Sequence, residues 1–201
     1  MITGPKYKIA RRVGAPIFEK TQTAKYAQRQ ERKGKSRGFS KPKSEFGSQL
    51  NEKQKARIIY GMSEHQFARY VKEALAKKTS RTSHLIYQYL ERRLDNVVYR
   101  LGFAPTRRAA RQMIVHGHMT VNGRKVNTPS RQMVVGDMVG VRVGSQGSAL
   151  FTREGTEDVR AVPAWLRYDN TKKTGEVVGM PDLTGADTMF DLNAVVEFYS
   201  R

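Results

Sequence analysis

The chain has 201 residues, room for one large domain or two small ones, and carries 37 Lys/Arg against 18 Asp/Glu for a formal charge of +19. It has no cysteine, which excludes disulfides and thiolate metal sites and gives no argument for secretion. No apolar run approaches the roughly 20 residues of a membrane helix, and no apolar stretch follows the basic N-terminus as in a signal peptide, so cytosol or an organelle matrix is the expected compartment. The charge is uneven: residues 1–125 hold 29 Lys/Arg and 8 acids, whereas residues 126–201 hold 8 and 10. A polyanionic partner is therefore expected on the first two thirds. An Arg- and Lys-rich start also admits a transit peptide, although Gly and Pro interrupt any amphipathic helix there.

From Met1 to Lys43 there are 13 basic residues, with only Glu19 and Glu31 in opposition and few large aliphatics. This composition predicts an extended basic arm over residues 1–45. Tyr7, Phe18, Tyr26 and Phe39, spread among the charges, suit an arm that lies on phosphates and stacks on exposed bases. A solvated tail that orders only on binding is equally compatible.

Asn51 to Gly61 reads as a short helix. Ser63-Glu64-His65-Gln66 then has capping-box spacing, with Phe67, Tyr70, Val71, Ala74 and Leu75 following at helical steps, so residues 46–90 are expected to form a helical domain. Lys77-Lys78-Thr79-Ser80-Arg81 is a basic linker. Beyond it Ile86, Leu90, Leu94, Val97 and Leu101 recur at three- and four-residue steps, which predicts one helix from Ser83 to Leu101 stopped by Gly102. Pro105 and Thr106 supply a stop and a cap for a second helix, Thr106 to His116, closed by Gly117.

On that second helix Ala109, Ala110, Met113 and Ile114 share an apolar side, while Arg107, Arg108, Arg111 and Gln112 lie on another. No acid occurs between Asp95 and Asp137, so the three arginines are expected to lack carboxylate partners. Like charges at this spacing mildly oppose a helix. A polyanion that neutralises them accounts for the pattern better than a solvated face, which usually mixes signs. Asp95 is expected to be structural, bonded to an arginine such as Arg92 or to backbone.

Asn122-Gly123 between Met119-Thr-Val121 and Arg124-Lys-Val126 predicts a hairpin with a type I′ turn and a basic tip. Asn127-Thr-Pro129-Ser130 turns the chain, and Met133–Val135 and Met138–Val143 read as two further antiparallel strands. With the two helices these make a small domain over residues 91–145. Residues 146–189 show no clear periodicity and read as a loop-rich extension packed on that domain, with Trp165 a packing residue. The expected class is thus α+β: a basic arm and helical domain, plus two helices packed on an antiparallel sheet.

No residues for catalysis stand out: there is no phosphate-loop Gly-Lys-Ser and no supported Ser-His-Asp or paired-carboxylate arrangement. His116 and His118 fall short of a metal site, since even catalytic zinc takes three protein ligands and the nearest carboxylates in sequence are Asp95 and Asp137. RNA contact or capping suits them better. No cofactor is expected.

Arg93-Leu94-Asp95, Arg100-Leu101-Gly102, Thr106-Arg107, Ala110, Gly117-His118, Val121-Asn122-Gly123, Val126, Pro129-Ser130 and Gly136-Asp137 resemble, in order, the RNA-binding module named after small-ribosomal-subunit protein four. Thr3-Gly4-Pro5, Arg11-Arg12-Val13-Gly14, Lys43 to Leu50, Glu52 to Lys55, Arg57, Tyr60-Gly61, Glu64 and Gln66-Phe67 extend the likeness to the bacterial form of that family. The final Asn193–Arg201 resembles the family's C-terminus, which implies a terminal helix or hook over residues 190–201 packed back on the helical domain. Many members bind zinc through four N-terminal cysteines; this chain has none, so zinc is not implied.

The resemblance implies a structural protein that binds small-subunit ribosomal RNA early in assembly of the subunit body. It also implies a position near the messenger entrance beside ribosomal protein five, where the interface influences decoding accuracy, in the cytoplasmic ribosome. Together with the charge pattern it nominates as RNA-binding Lys6, Lys8, Arg11, Arg12, Arg29, Lys43, Lys53, Lys55, Arg57 and Arg69 in the first half. From the module it nominates Arg92, Arg93, Arg107, Arg108, Arg111, Gln112, His116, His118, Asn122, Arg124 and Lys125. Two rivals remain at this level. An RNA-modifying enzyme carries the same module but needs a large catalytic domain, with only about 58 residues left after Val143; a helix-turn-helix DNA binder could use the two helices at Ser83–His116.

Overall fold

The computed structural model describes residues 4–35, 44–148, 150–151, 161–169, 172–184 and 188–200. The chain divides into two units: Met1–Ile86 with Gly185–Arg201, and Tyr87–Thr184.

The first unit is helical. Where an extended arm is expected, Lys6–Val13 forms helix α1 and Ala24–Lys35 forms α2, with a 3-10 turn at Glu19–Thr21 between them. The charged composition hides a small apolar set that makes this possible. Ala10, Val13 and Ile17 are buried, with Tyr26, Ile58 and Ile59 packed against them, the Tyr7 and Tyr26 rings stack 5.7 Å apart, and Asn51 Nδ2 donates to Val13 O at 2.8 Å. Phe39 and Lys43 lie outside the described residues.

Helix α3 runs over Glu45–Ile59, longer than Asn51–Gly61, because Ser44 accepts a hydrogen bond from Gly47 N at 3.2 Å and caps it earlier. Ser63 caps α4 (Glu64–Ala76) through Gln66 N at 3.3 Å. The terminal helix α8 (Leu192–Ser200) packs on α3 and α4: Phe198 sits 5.4 Å from Phe46, and Tyr199 6.4 Å from Phe67. At this junction Lys53 Nζ lies 2.8 Å from Glu64 Oε1 and 4.6 Å from the centre of the Phe198 ring, while the Tyr199 hydroxyl donates to the same Glu64 oxygen at 2.8 Å. Burial raises the Glu64 pKa, but the bonds from Lys53 and Tyr199 and the charges of Lys53 and Arg57 outweigh it, so the net value lies below the ordinary glutamate pKa of 4.5.

The boundary between the units falls within α5 (Thr82–Glu91), and the expected single helix to Leu101 breaks after it. Arg93 is extended (ψ 137°) and forms a β-bridge with Gln132, after which α6 resumes over Leu94–Arg100. Leu94 N donates to Arg131 O and Met133 N to Arg92 O, at 2.9 and 2.8 Å. The apolar spacing survives the break, which is why periodicity alone does not reveal it. Helix α7 spans Arg107–Val115 with Thr106 as its cap.

A five-stranded antiparallel sheet completes the second unit: β1 (Met119–Val121), β2 (Arg124–Lys125), β3 (Met138–Val141), β4 (Leu166–Asp169) and β5 (Thr174–Val177), in the order β2-β1-β3-β5-β4. Met133–Val135 is not the expected strand. The neighbouring Gln132 makes an isolated bridge to Arg93, and the Asp137 carboxylate accepts from Val134 N at 3.0 Å to turn the chain. The supposed loop-rich extension instead supplies β4 and β5, whose Leu166 and Val177 join Leu94, Val97, Leu101, Met113, Ile114, Met119, Val121, Val139 and Trp165 in one core. The fold is α+β.

Two measurements test these packings. Gly175 of β5 faces Leu101, and a Cβ there would lie 2.6 Å from Leu101 Cδ2 and 3.0 Å from Cγ; Gly175→Ala is expected to destabilise the second unit by roughly 1–3 kcal/mol, read from the fluorescence of the sole tryptophan, Trp165, during denaturant unfolding. The depressed Glu64 pKa makes its stabilisation complete above pH 4.5 and lost as pH falls toward the lowered folded value. Glu64→Gln should therefore flatten the acid limb of the helical unit's melting curve, followed by far-ultraviolet circular dichroism.

Candidate nucleic-acid interface

Helix α7 buries Ala110, Met113 and Ile114 and leaves Arg108, Gln112, Val115 and His116 exposed. These four exposed residues recur at the steps that share one helix face. Gly117, at φ 73°, reverses the chain so that His118 N donates to Met113 O at 3.0 Å. The hairpin then turns on Asn122 and Gly123, at φ 51° and 76°, the pair of positive values a type I′ turn requires. Its tip is tied to β3, because Asn122 Nδ2 donates to Asp137 Oδ1 and Asn122 Oδ1 accepts from Met138 N, both at 2.8 Å. Arg124 and Lys125 are held exposed on this rigid tip. The Lys125 side chain crosses Gly117, where any Cβ would meet its Cε and approach its Nζ to 3.0 Å. Where Lys125 crosses Gly117, the hairpin and the outer face of α7 form one strip bearing Arg108, Gln112, His116 and Lys125.

Beneath the strip lies a buried polar network. Arg93, fully buried, donates through Nε and Nη2 to the two Asp95 oxygens at 2.9 and 2.6 Å. Asp95 therefore pairs with Arg93 rather than Arg92, whose Nε donates to Met133 O at 2.7 Å. Arg111 also lies 3.6 Å from Asp95, so the expectation that the α7 arginines lack carboxylates fails at Arg111. Arg107 is half-buried: its Nε donates to Asn96 Oδ1 at 2.8 Å and its guanidinium lies 4.4 Å from the Tyr99 ring centre. Glu91, with no exposed surface, receives two bonds from Arg100 at 2.9 and 3.0 Å and one from Asn96 at 2.9 Å. Burial and the Glu91 carboxylate push the adjacent Tyr87 phenol up to about 12, so it stays neutral at physiological pH.

The other nominated residues separate by environment. Lys53 and Arg93 are both buried, in ion pairs with Glu64 and Asp95. Lys55 pairs with Glu52 at 2.6 Å, Arg57 lies 3.4 Å from Glu64 and Arg69 3.6 Å from Glu73. Asn122 spends its side-chain amide on the turn, and His118 Nδ1 lies 3.0 Å from Ser145 Oγ. Lys8, Arg12 and Arg29 are exposed on α1 and α2, as is Arg11, whose Nε donates to Tyr7 O at 3.2 Å; Lys6 lies 5.7 Å from the Phe18 ring centre. Lys43 is outside the described residues. Sequence reasoning missed the neutral and acidic supports Asn96 and Glu91, which carry no charge signal and come under α7 only through the fold. Among the described residues, no group of three or more His, Asp or Glu could hold a metal ion, and no helix is long and apolar enough to cross a membrane.

Two family profiles match the chain: "Ribosomal protein S4/S9 N-terminal domain" over residues 1–91 and "S4 domain" over residues 92–139. Among similar proteins are those named small ribosomal subunit protein uS4. The one from Amoebophilus asiaticus is 41% identical over 198 residues, 98% of each chain. That of Aquifex aeolicus is 41% identical over 207 residues, 98% of this chain and 97% of its own. The relative from Roseiflexus castenholzii is 44% identical over 203 residues, 98% of each.

Within the part matched by the second profile, the Arg93–Asp95 pair is buried, so loss of one partner is costly. Asp95→Asn leaves the buried guanidinium without a counter-charge and is expected to destabilise the second unit by about 3–5 kcal/mol, measured as a lower midpoint of the Trp165 transition.

Proposed function

The chain belongs to the ribosomal protein S4 family, matched by that family's profiles from residue 1 to residue 139, and from this premise we propose that it is a structural, non-enzymatic component of the small ribosomal subunit that binds small-subunit ribosomal RNA directly. The observation that carries this reading is the strip on which Arg108 and Lys125 stand exposed, with Arg124 exposed next to it in β2, on a scaffold fixed by the Asn122 turn and the Gly117 crossing. Among the described residues none of the three has an ion-pair partner. Cations held in fixed positions release counterions when phosphates replace solvent, and their spacing selects the shape of the RNA that can meet them all. Exposed Lys8, Arg11, Arg12 and Arg29 supply a second basic surface on the helical unit.

The finer assignments extend the same reading. The protein acts early in assembly of the subunit body, next to ribosomal protein five and near the path by which messenger enters, where it contributes to translational accuracy in the cytoplasmic ribosome. Family membership and the two basic surfaces support this placement. Of the segment after Val143, β4, β5 and α8 complete the sheet and the helical unit and form no catalytic domain of their own. The DNA-binding rival has no comparable support, since the outer face of α7 continues into a hairpin instead of standing alone as a recognition helix.

Binding to a transcript of bacterial small-subunit ribosomal RNA is expected to weaken steeply and log-linearly with salt, and duplex DNA should compete poorly. A flat salt dependence, or a preference for DNA, overturns the reading. Replacing Arg108, Arg124 and Lys125 together by Ala should lower affinity and reduce the salt slope by about three, with the Trp165 transition unchanged.

A further inference from the structure

Arg107 differs from its neighbours in how it is held. Arg108 is exposed and Arg111 faces a carboxylate already engaged by Arg93, whereas Arg107 is gripped at its Nε edge and on its face by an amide and an aromatic ring. The Asn96 amide oxygen accepts from its Nε at 2.8 Å, and the Tyr99 ring lies under the guanidinium at 4.4 Å. Asn96 is itself fixed, because its amide nitrogen donates to both the backbone and the carboxylate of buried Glu91, each at 2.9 Å. That leaves the amide only one way round: a nitrogen turned toward Arg107 would place donor against donor and leave Glu91 facing an oxygen. The side chain of Asn96 is 1% exposed, so it has no access to a nucleic acid of its own.

A long arginine side chain loses rotamer freedom when it grips a phosphate, and a contact that has already removed that freedom strengthens binding without touching the ligand. An amide and a ring face hold a guanidinium in this way without themselves carrying a charge. Resting on the ribosomal RNA reading above, we propose that Asn96 and Tyr99 are positioning residues, which preset the Arg107 guanidinium for the RNA backbone by gripping its Nε edge and its face.

The experiment is a double-mutant cycle on the full chain with a transcript of bacterial small-subunit ribosomal RNA, read as affinity and as the slope of log affinity against log salt. Arg107→Ala is expected to lower the slope by about one. Asn96→Ala removes no charge, yet it should weaken binding by roughly three- to tenfold, the cost of one side chain immobilised only on binding. In the Arg107→Ala background that penalty should vanish, although the loss of thermal stability caused by Asn96→Ala remains. Should the buried Asn96 variant fail to fold, Tyr99→Leu and Tyr99→Phe carry the test: the first should weaken binding as Asn96→Ala does, and the second, which keeps the ring, should restore it. Additive affinity losses, or a Tyr99→Leu protein that binds like wild type, overturn the positioning role while leaving the RNA reading intact. A wild-type chain that ignores this RNA overturns both.

Discussion

The second unit is organised around a guanidinium with no exposed surface. Inside the protein its charge is met by Asp95, two residues on, through two hydrogen bonds to Arg93. For both to reach that geometry the chain must leave the helix at Arg93, and the extended backbone there forms the bridge to Gln132. The break divides α5 from α6, ties the start of α6 to the segment before β3, and turns Asn96 and Tyr99 toward α7. One buried pair thereby sets where the outer arginines can stand.

The positive charges of the protein fall into two kinds. Some, such as Lys53 and Arg93, are consumed inside by carboxylates and aromatic faces and hold elements together. Others stand in solvent on rigid supports, as Arg108, Arg124 and Lys125 do. Each such ion pair adds nothing to the net charge of +19, so it is the count of 37 Lys/Arg that overstates the cations a polyanion meets. The distinction depends on neighbours that arrive from distant parts of the chain: Glu64 is supplied by α4 and Phe198 by α8, both to a lysine on α3.

Local chemistry was readable where the signal and its cause lie within a few residues. The Thr106 and Ser63 caps, the Asn122-Gly123 turn and the apolar faces of α4 and α7 all appear where their residues predict. What could not be read depends on partners far along the chain. The kink at Arg93 leaves the apolar period undisturbed, and β4 and β5 are four-residue strands that find their places only by pairing, β5 with β3 and β4 with β5. Helix α1 looks like a solvated arm because its buried face amounts to Ala10 and Val13, too little to show until α3 brings Ile58 and Ile59 to it. For the interface the basic residues were legible as a class, but which of them are internal was not.

The helical unit is discontinuous in sequence, since α8 closes it from beyond residue 184 while α3 and α4 come before residue 77. On a translating ribosome this inverts the order of completion. The five described strands of the sheet unit are all made once Val177 has emerged, whereas the earlier-made α3 keeps its apolar side, with Phe46 awaiting Phe198, open until α8 leaves the exit tunnel. The half synthesised first is thus the half finished last, and for that interval a nascent chain exposes both its cations and an unfilled hydrophobic seam to whatever chaperone or RNA is at hand.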